Sequence, residues 1–228
     1  MCCALAATPS QGKVFKVASL SPASNHFAYR GDYTTFAAWN FIHKARHNVV
    51  ALNGCFMFPV PTQSCRKCGY VKETLPHVLN RCNIHMTAAT RRHNAVVNRL
   101  EKVLPQNSHT RILTNQTVPG CDSNLRPDIT VIDDKNRIAT IIDVAIPFES
   151  QLLSLRRHPS TQEGETFNDA FIVGSLGSFD PANEACIRRL RITPRYAALM
   201  KKLMVSDVIK WSRDIYVEHV TGIRQYAD

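Results

Sequence analysis

Residues 125–149, LRPDITVIDDKNRIATIIDVAIPFE, read as two apolar, β-branched strands around the polar turn Asp133-Asp134-Lys135-Asn136. Ile129, Val131, Ile132, Ile141, Ile142, Val144 and Ile146 ask for burial, yet each strand carries one acid, Asp128 and Asp143. A carboxylate taken out of water is costly unless it is paired, hydrogen-bonded or bound to a cation. Antiparallel pairing across a short turn brings both acids to one face of the hairpin, where like charges repel. A hard divalent cation, Mg²⁺ or Mn²⁺, resolves the conflict; such an ion orients or activates a water and stabilises the departing oxygen at a phosphodiester. The alternative is a structural hairpin with solvated acids.

Upstream, CRKCGYVKETLPHVLNRC spans residues 65–82 and contains Cys65, Cys68, His77 and Cys82. Its CxxC pair offers two sulfurs to one tetrahedral ion from a tight turn, and a His followed four residues later by Cys shares a helical face. Gly69 suits the turn because glycine accepts positive φ. These four residues are read as a Zn²⁺ knuckle. His85 competes with them as a ligand or, the preferred reading, lies at the surface. Arg66, Lys67, Lys72 and Arg81 ring the knuckle, which suits a small zinc module on nucleic acid.

The segment NIHMTAATRRHNAVVNRLEKVLPQN, residues 83–107, predicts a helix with Ala89, His93, Val96, Val97, Leu100, Val103 and Leu104 as its apolar stripe, stopped by Pro105. His93 is read as a packed core histidine. Arg91, Arg92 and Arg99 are placed on the other faces, toward phosphates or solvent. TRILT (110–114) predicts a strand, and the Pro119-Gly120 turn leads into the hairpin. Further on, Asp180-Pro181 and Thr193-Pro194 read as helix N-caps with proline in the first turn. Tyr196, Leu199, Met200, Leu203, Met204 and Val208 then form a helical stripe packed on the sheet, with Lys201, Lys202, Lys210 and Arg213 outside it.

The 228-residue chain has a formal charge of +10. Residues 1–124 carry 14 Lys/Arg against 4 Asp/Glu, whereas residues 125–228 carry 14 of each. The excess is N-terminal, so the first half is expected to meet a polyanion. The opening MCCALAATPS lacks the basic region of a signal peptide, and no run approaches the roughly 18 apolar residues of a membrane span. An intracellular chain without a membrane partner is expected, with Cys2 and Cys3 incidental rather than acylated. In a reducing compartment the eight cysteines serve metal rather than a disulfide framework.

The spacing Pro127, Asp128, fourteen residues, Asp143 is similar to that of PD-(D/E)xK nucleases, whose lysine follows the second acid by two residues; here that position is Ala145. Taken in order, the CCHC knuckle, the arginine-rich helix, LRPDITV, IIDVAIPFE, DAFIVGSLGSFDPANEACIRRLRI and RYAALMKKLMVSDVIKWSRDIYVEH resemble the C-terminal region of the pol polyprotein of non-LTR retrotransposons with a restriction-like endonuclease. The resemblance is greatest to arthropod elements inserted in ribosomal RNA genes, and it runs from about Trp39 to Tyr226. It implies a nuclear endonuclease that nicks target DNA for target-primed reverse transcription, with DNA and element RNA as partners. A reverse transcriptase would lie upstream in the same polyprotein, making this chain a fragment or a decayed copy. Asp128 and Asp143 are implied as ligands of a catalytic Mg²⁺ or Mn²⁺, Arg126 as the basic residue before PD, and Glu149 as a further metal ligand or a strand-end surface acid. The family's displaced lysine has no counterpart, since no lysine lies between Lys135 and Lys201; Arg156 or Arg157 could at most neutralise or position charge.

The expected architecture is therefore α/β: a weakly specified segment over residues 1–60, a CCHC zinc knuckle over 61–86 and a PD-(D/E)xK restriction-endonuclease-like domain over 87–228. Two functions remain open, an active endonuclease and a zinc-dependent nucleic-acid-binding remnant without the chemistry.

Overall fold

The computed structural model describes residues 12–55, 61–105, 107–118, 124–155, 161–163 and 166–227. The predicted Pro119-Gly120 turn, Cys2, Cys3, Arg156 and Arg157 lie outside these residues. The fold is mixed α/β, built on a five-stranded sheet of order β1-β2-β3-β5-β4. Its strands are β1 (Thr110–Thr114), β2 (Ile129–Asp133), β3 (Ile138–Ala145), β4 (Thr161–Glu163) and β5 (Thr166–Ile172). β1, β2 and β3 form an antiparallel meander, β5 runs parallel to β3, and β4 closes the edge antiparallel to β5.

The quoted stretch forms β2 and β3 because its apolar residues alternate with period two. Ile129, Val131, Ile142 and Val144 turn to the same buried side, joined there by Phe171 of β5. Parallel β3 and β5 need a crossover, and helix α6 (Glu149–Leu155) lies within that connection. On the other side of the sheet, Leu152 of α6 and Val17 of helix α1 (Gly12–Ala18) pack with Ile172 and Ala145.

The main core gathers Val96, Val97 and Leu100 of α5 (Met86–Glu101) and Met204, Val205, Val208 and Ile209 of α8 (Pro194–Thr221). It also takes Phe27 of α2 (Phe27–Arg30) and Phe41 and Ile42 of α3 (Phe36–Arg46), so the N-terminal stretch is built into the core. Leu75, Val78 and Leu79 of α4 (Leu75–Asn80), inside the knuckle segment, belong to it as well. One contiguous core of this kind ties the knuckle to the sheet-bearing part.

Both predicted helical stripes hold in part: Val96, Val97, Leu100 and Leu104, and Met200, Met204 and Val208, are buried as expected, whereas other members differ. In α5 the buried set is Ala88, Arg92, Val96, Val97 and Leu100, with Arg92 rather than His93 fully inside. In α8 Tyr196 and Leu199 are exposed, while Ala197, Val205, Ile209, Ser212 and Ile215 are buried. The cause in α8 is its central position: it packs against α3, α4 and α5, so its buried arc is wider than one stripe. Thr193 and Pro194 open α8 as expected, although the threonine side chain makes no capping bond, and Gly222 closes it at φ 76°. Helix α7 (Asn183–Arg189) starts two residues later than the Asp180-Pro181 reading requires; Asp180 instead accepts the Ala182 N–H at 3.0 Å in the turn before it. Among the described residues no helix is long and apolar enough to cross a membrane.

Candidate metal centre and acidic hairpin

Cys65, Cys68, His77 and Cys82 converge, their ligand atoms all lying within 4.8 Å of one another. A tetrahedral zinc at about 2.3 Å from sulfur requires ligand separations of about 3.8 Å, so the set can hold a metal such as zinc. The chain builds it locally. The Cys65 carbonyl accepts from Gly69 N–H at 2.9 Å and Cys65 N–H donates to the Tyr70 carbonyl at 2.8 Å, closing the knuckle turn with Gly69 at φ 74°. Thr74 caps α4 by accepting the His77 N–H, and Cys82 N–H donates to the His77 carbonyl at 2.8 Å. His77 Nε2 and Cys68 Sγ are 3.2 Å apart, and the His77 ring is stacked on Tyr70 at 4.5 Å. Burial pushes the Cys82 thiol up to about 12, so a metal entering this site must displace its proton.

Glu73 and His219, which spacing did not single out, surround this set together with His85. Glu73 is fully buried and its carboxylate accepts from Arg66 Nε and Nη2, from Arg66 N–H at 2.8 Å and from Asn53 N–H at 2.6 Å. Burial opposes ionisation of Glu73, but those bonds together with the one from His219 outweigh it and hold the carboxyl down at about 2. His219, from the last turns of α8, reaches Glu73 Oε1 at 2.8 Å through Nε2, the same nitrogen lying 3.9 Å from Cys65 Sγ. His85, expected at the surface, is buried and its Nε2 meets His219 Nδ1 at 2.9 Å. Glu73 sits between two ligands but carried no metal-spacing signal, and His219 lies 137 residues beyond Cys82.

The acidic hairpin is less complete. Ile129 stands opposite Ile142, so Asp128, one residue before β2, falls across from Asp143. Asp143 is exposed and Asp128 half-buried. Asp128 Oδ2 accepts the Val144 N–H at 2.7 Å and lies 3.2 Å from His93 Nε2, which is also 3.0 Å from the Val144 carbonyl. An N–H on His93 Nε2 therefore serves a carbonyl and a carboxylate together. His93 is not a core histidine but the partner of Asp128, whose bond raises its pKa against the opposing effect of burial. Burial favours the neutral Asp128 carboxyl, but the His93 and Val144 bonds outweigh it and lower its pKa.

Glu149 is neither a surface acid nor positioned in solvent for a cation. It is fully buried at the start of α6, where it accepts from Leu176 N–H at 2.7 Å and Ser178 N–H at 3.4 Å. A Cβ on Gly174 would collide with this carboxylate, which explains glycine there. Burial raises the Glu149 pKa, opposed by the nearby Arg46 charge. Arg126 is exposed beside the hairpin. Ala145 packs against the apolar group of Val17, Leu152 and Ile172, so a lysine at the PD-(D/E)xK position would enter that cluster. Among the described residues, groups of three or more converging metal-ligand side chains occur only around the knuckle; Asp128, Asp143 and Glu149 form none.

The arginines of α5 face the protein rather than phosphate. Arg92 donates to Ser212 Oγ and the Leu79 carbonyl, each at 2.9 Å, and burial pushes its pKa down to about 10. Arg99 pairs with Asp207, and Arg91 donates to the Ala227 carbonyl and lies over the Tyr226 ring. No protein-family model and no curated protein matches the chain.

Proposed function

We propose that this chain is the zinc-knuckle and restriction-like endonuclease region of a retrotransposon pol polyprotein, nicking target DNA in the nucleus beside an upstream reverse transcriptase. The observation that carries the reading is the position of Asp128 across from Asp143 at the β2–β3 pairing. Its setting supports the same reading: both acids lie at the antiparallel β2–β3 pair of a mixed sheet, with crossover helix α6 following β3. Asp128 and Asp143 would hold Mg²⁺ or Mn²⁺, which when bound supplies an activated water and charge stabilisation at phosphorus. Arg126, exposed beside Asp128, is suited to a phosphate of the strand being cut.

Zinc in the knuckle gives affinity rather than chemistry. Between residues 33 and 100 the sole carboxylate is Glu73, and it is buried, whereas Arg66, Lys67, Lys72 and Arg81 are exposed. A surface of one sign on this segment favours DNA or element RNA through counterion release. The test is nicking of supercoiled DNA with Mg²⁺ or Mn²⁺: Asp128→Ala and Asp143→Ala abolish nicking while salt-dependent DNA binding persists. Nicking that survives both substitutions refutes the assignment.

A second reading, a nucleic-acid-binding remnant without chemistry, is favoured by a specific observation. His93 engages the Asp128 oxygen that a cation would use, and Ala145 stands where the broader nuclease pattern has lysine. Wild-type protein that binds DNA with a steep salt dependence and never nicks it establishes this reading over the first.

A further inference from the structure

The knuckle ligands come from an 18-residue stretch, which by itself describes a small module able to move on its own. The buried polar groups around it describe something else. Glu73 lies between Cys68 and His77 in sequence, yet its carboxylate turns back to the N–H and guanidinium of Arg66, the residue after Cys65. One carboxylate thus ties the CxxC turn to the His77 segment. That carboxylate accepts two backbone N–H bonds and pairs with the Arg66 guanidinium, so His219 Nε2 is the donor of their 2.8 Å bond. In the tautomer with its one proton on Nε2, His219 accepts at Nδ1, and His85 Nε2 is then the donor of the 2.9 Å bond between the rings.

The chain of donors therefore runs from His85, three residues after Cys82, through His219 to Glu73. Every member is buried: Glu73 and His219 have no exposed side chain and His85 is 3% exposed. The Nε2–H of His219 also faces Cys65 Sγ at 3.9 Å, within reach of a weak N–H···S contact to a thiolate. Thus a single residue of α8 touches Cys65, holds Glu73 between Cys68 and His77, and holds His85 beside Cys82. Groups that fix the orientation of ligand-bearing segments govern metal affinity nearly as strongly as the ligands do.

We infer that His219 is the positioning residue of the knuckle's zinc centre, locking that centre onto the C-terminal helix so that metal, knuckle and α8 form one unit. It is not itself a ligand. The inference rests on zinc occupying Cys65, Cys68, His77 and Cys82. The alternative is a buried polar network that stabilises the fold and leaves the metal unaffected.

Zinc and cobalt titrations of the full chain separate these cases, with Ser212→Ala as control, since Ser212 is equally buried on α8 but bonds Arg92 and the Ser175 carbonyl. His219→Ala is expected to lower zinc affinity by about tenfold to a hundredfold. It also shifts the sulfur-to-cobalt charge-transfer band of the Co²⁺-substituted protein, because Cys65 loses its N–H neighbour. Ser212→Ala lowers the melting temperature but moves neither readout. His219→Gln, which retains a donor for Glu73, recovers part of the affinity and serves where the alanine variant does not fold. Wild-type affinity and an unchanged cobalt spectrum in the His219 variants overturn the inference while leaving the zinc centre standing. A wild-type chain holding two zinc ions, one of them lost in His219→Ala, also overturns it by making His219 a ligand. Wild-type protein that binds no zinc overturns the centre itself.

Discussion

The knuckle and the acidic hairpin both concentrate metal-ligand residues, but they are finished to different degrees. Around the knuckle, four ligands converge and Glu73, His219, His85 and Arg66 bond one another behind them, with His85 Nδ1 the one buried atom of that set left without a partner among the described residues. At the hairpin, two acids face each other across a strand pair, one of them is exposed, and the other already has a donor on its Oδ2. A buried centre needs its outer partners in place because each unsatisfied polar group costs free energy there. A solvent-facing pair of acids does not, since water satisfies it. The first arrangement suits a permanent structural ion and the second an exchangeable one that meets substrate.

That contrast breaks most directly by removing metal. Structural zinc contributes on the order of 10 kcal/mol of folding free energy in small modules. Because α4 and α8 share the core with the sheet, chelation is expected to lower the thermal stability of the whole protein rather than unfold the knuckle alone. Elemental analysis is expected to give one zinc per chain, and calorimetry before and after chelation would read the loss. An unchanged unfolding transition after complete zinc removal would make the knuckle an appendage.

How much of this was legible in the sequence depended on distance along the chain. The knuckle ligands were legible because CxxC and His-x₄-Cys are local spacings, and the hairpin because its β-branched residues alternate. His219 was not, since nothing in YVEHV signals that a 28-residue helix will carry that ring to Glu73. In the stripe of α5, Val96, Val97 and Leu100 were legible, but Arg92 lies inside where His93 was expected, for a related reason. Periodicity treats arginine as outward, whereas the Arg92 Nη1 and Nη2 groups bond inside to Ser212 and the Leu79 carbonyl, which come from separate helices. Glu149 was assigned from resemblance to a cation site, but the Leu176 and Ser178 N–H groups that take it arise from a loop 27 or more residues away.

Arg92 sharpens the comparison next, because it sets a buried structural cation against the exposed ones near the knuckle. Arg92→Ala leaves partners unsatisfied and is expected to cost about 3 kcal/mol of stability, read from urea unfolding. DNA affinity in the folded fraction stays at the wild-type value. Arg81→Ala does the reverse: stability is unchanged, binding weakens, and the salt slope falls by about 0.9. A loss of stability from Arg81→Ala with no change in slope would remove the knuckle from the proposed interface.

Acid tests the knuckle's outer partners. The Glu73 carboxyl is held at about 2, below its ordinary 4.5. A depressed carboxyl contributes stability above its unfolded value, and that contribution is lost as pH falls from about 4.5 toward 2. Wild type should therefore lose its stability advantage over Glu73→Gln through that window, as followed by urea midpoints from pH 5 downward. A constant difference between the two proteins across the window removes Glu73 as an ionised partner of Arg66 and His219.

The smallest expected effect lies at the hairpin, where it decides whether the site is open. His93 Nε2 lies near both Asp128 Oδ2 and the Val144 carbonyl, so an N–H there occupies two oxygens that a hard cation can use. Removing the ring takes the imidazole off both oxygens, leaving only the Val144 N–H on Asp128 Oδ2, at little structural cost because His93 is only half-buried. His93→Ala is expected to bind Mn²⁺ about tenfold more tightly than wild type, or about 1.4 kcal/mol, by calorimetric or paramagnetic titration of zinc-loaded protein. Adding Asp128→Ala should abolish the gain, since the same oxygen accepts both the histidine and the ion. If the gain is accompanied by faster nicking, the hairpin is a working site held partly closed by His93. Weaker Mn²⁺ binding in His93→Ala would instead make the histidine a ligand, and the hairpin would then share the knuckle's mixed nitrogen-containing ligand chemistry.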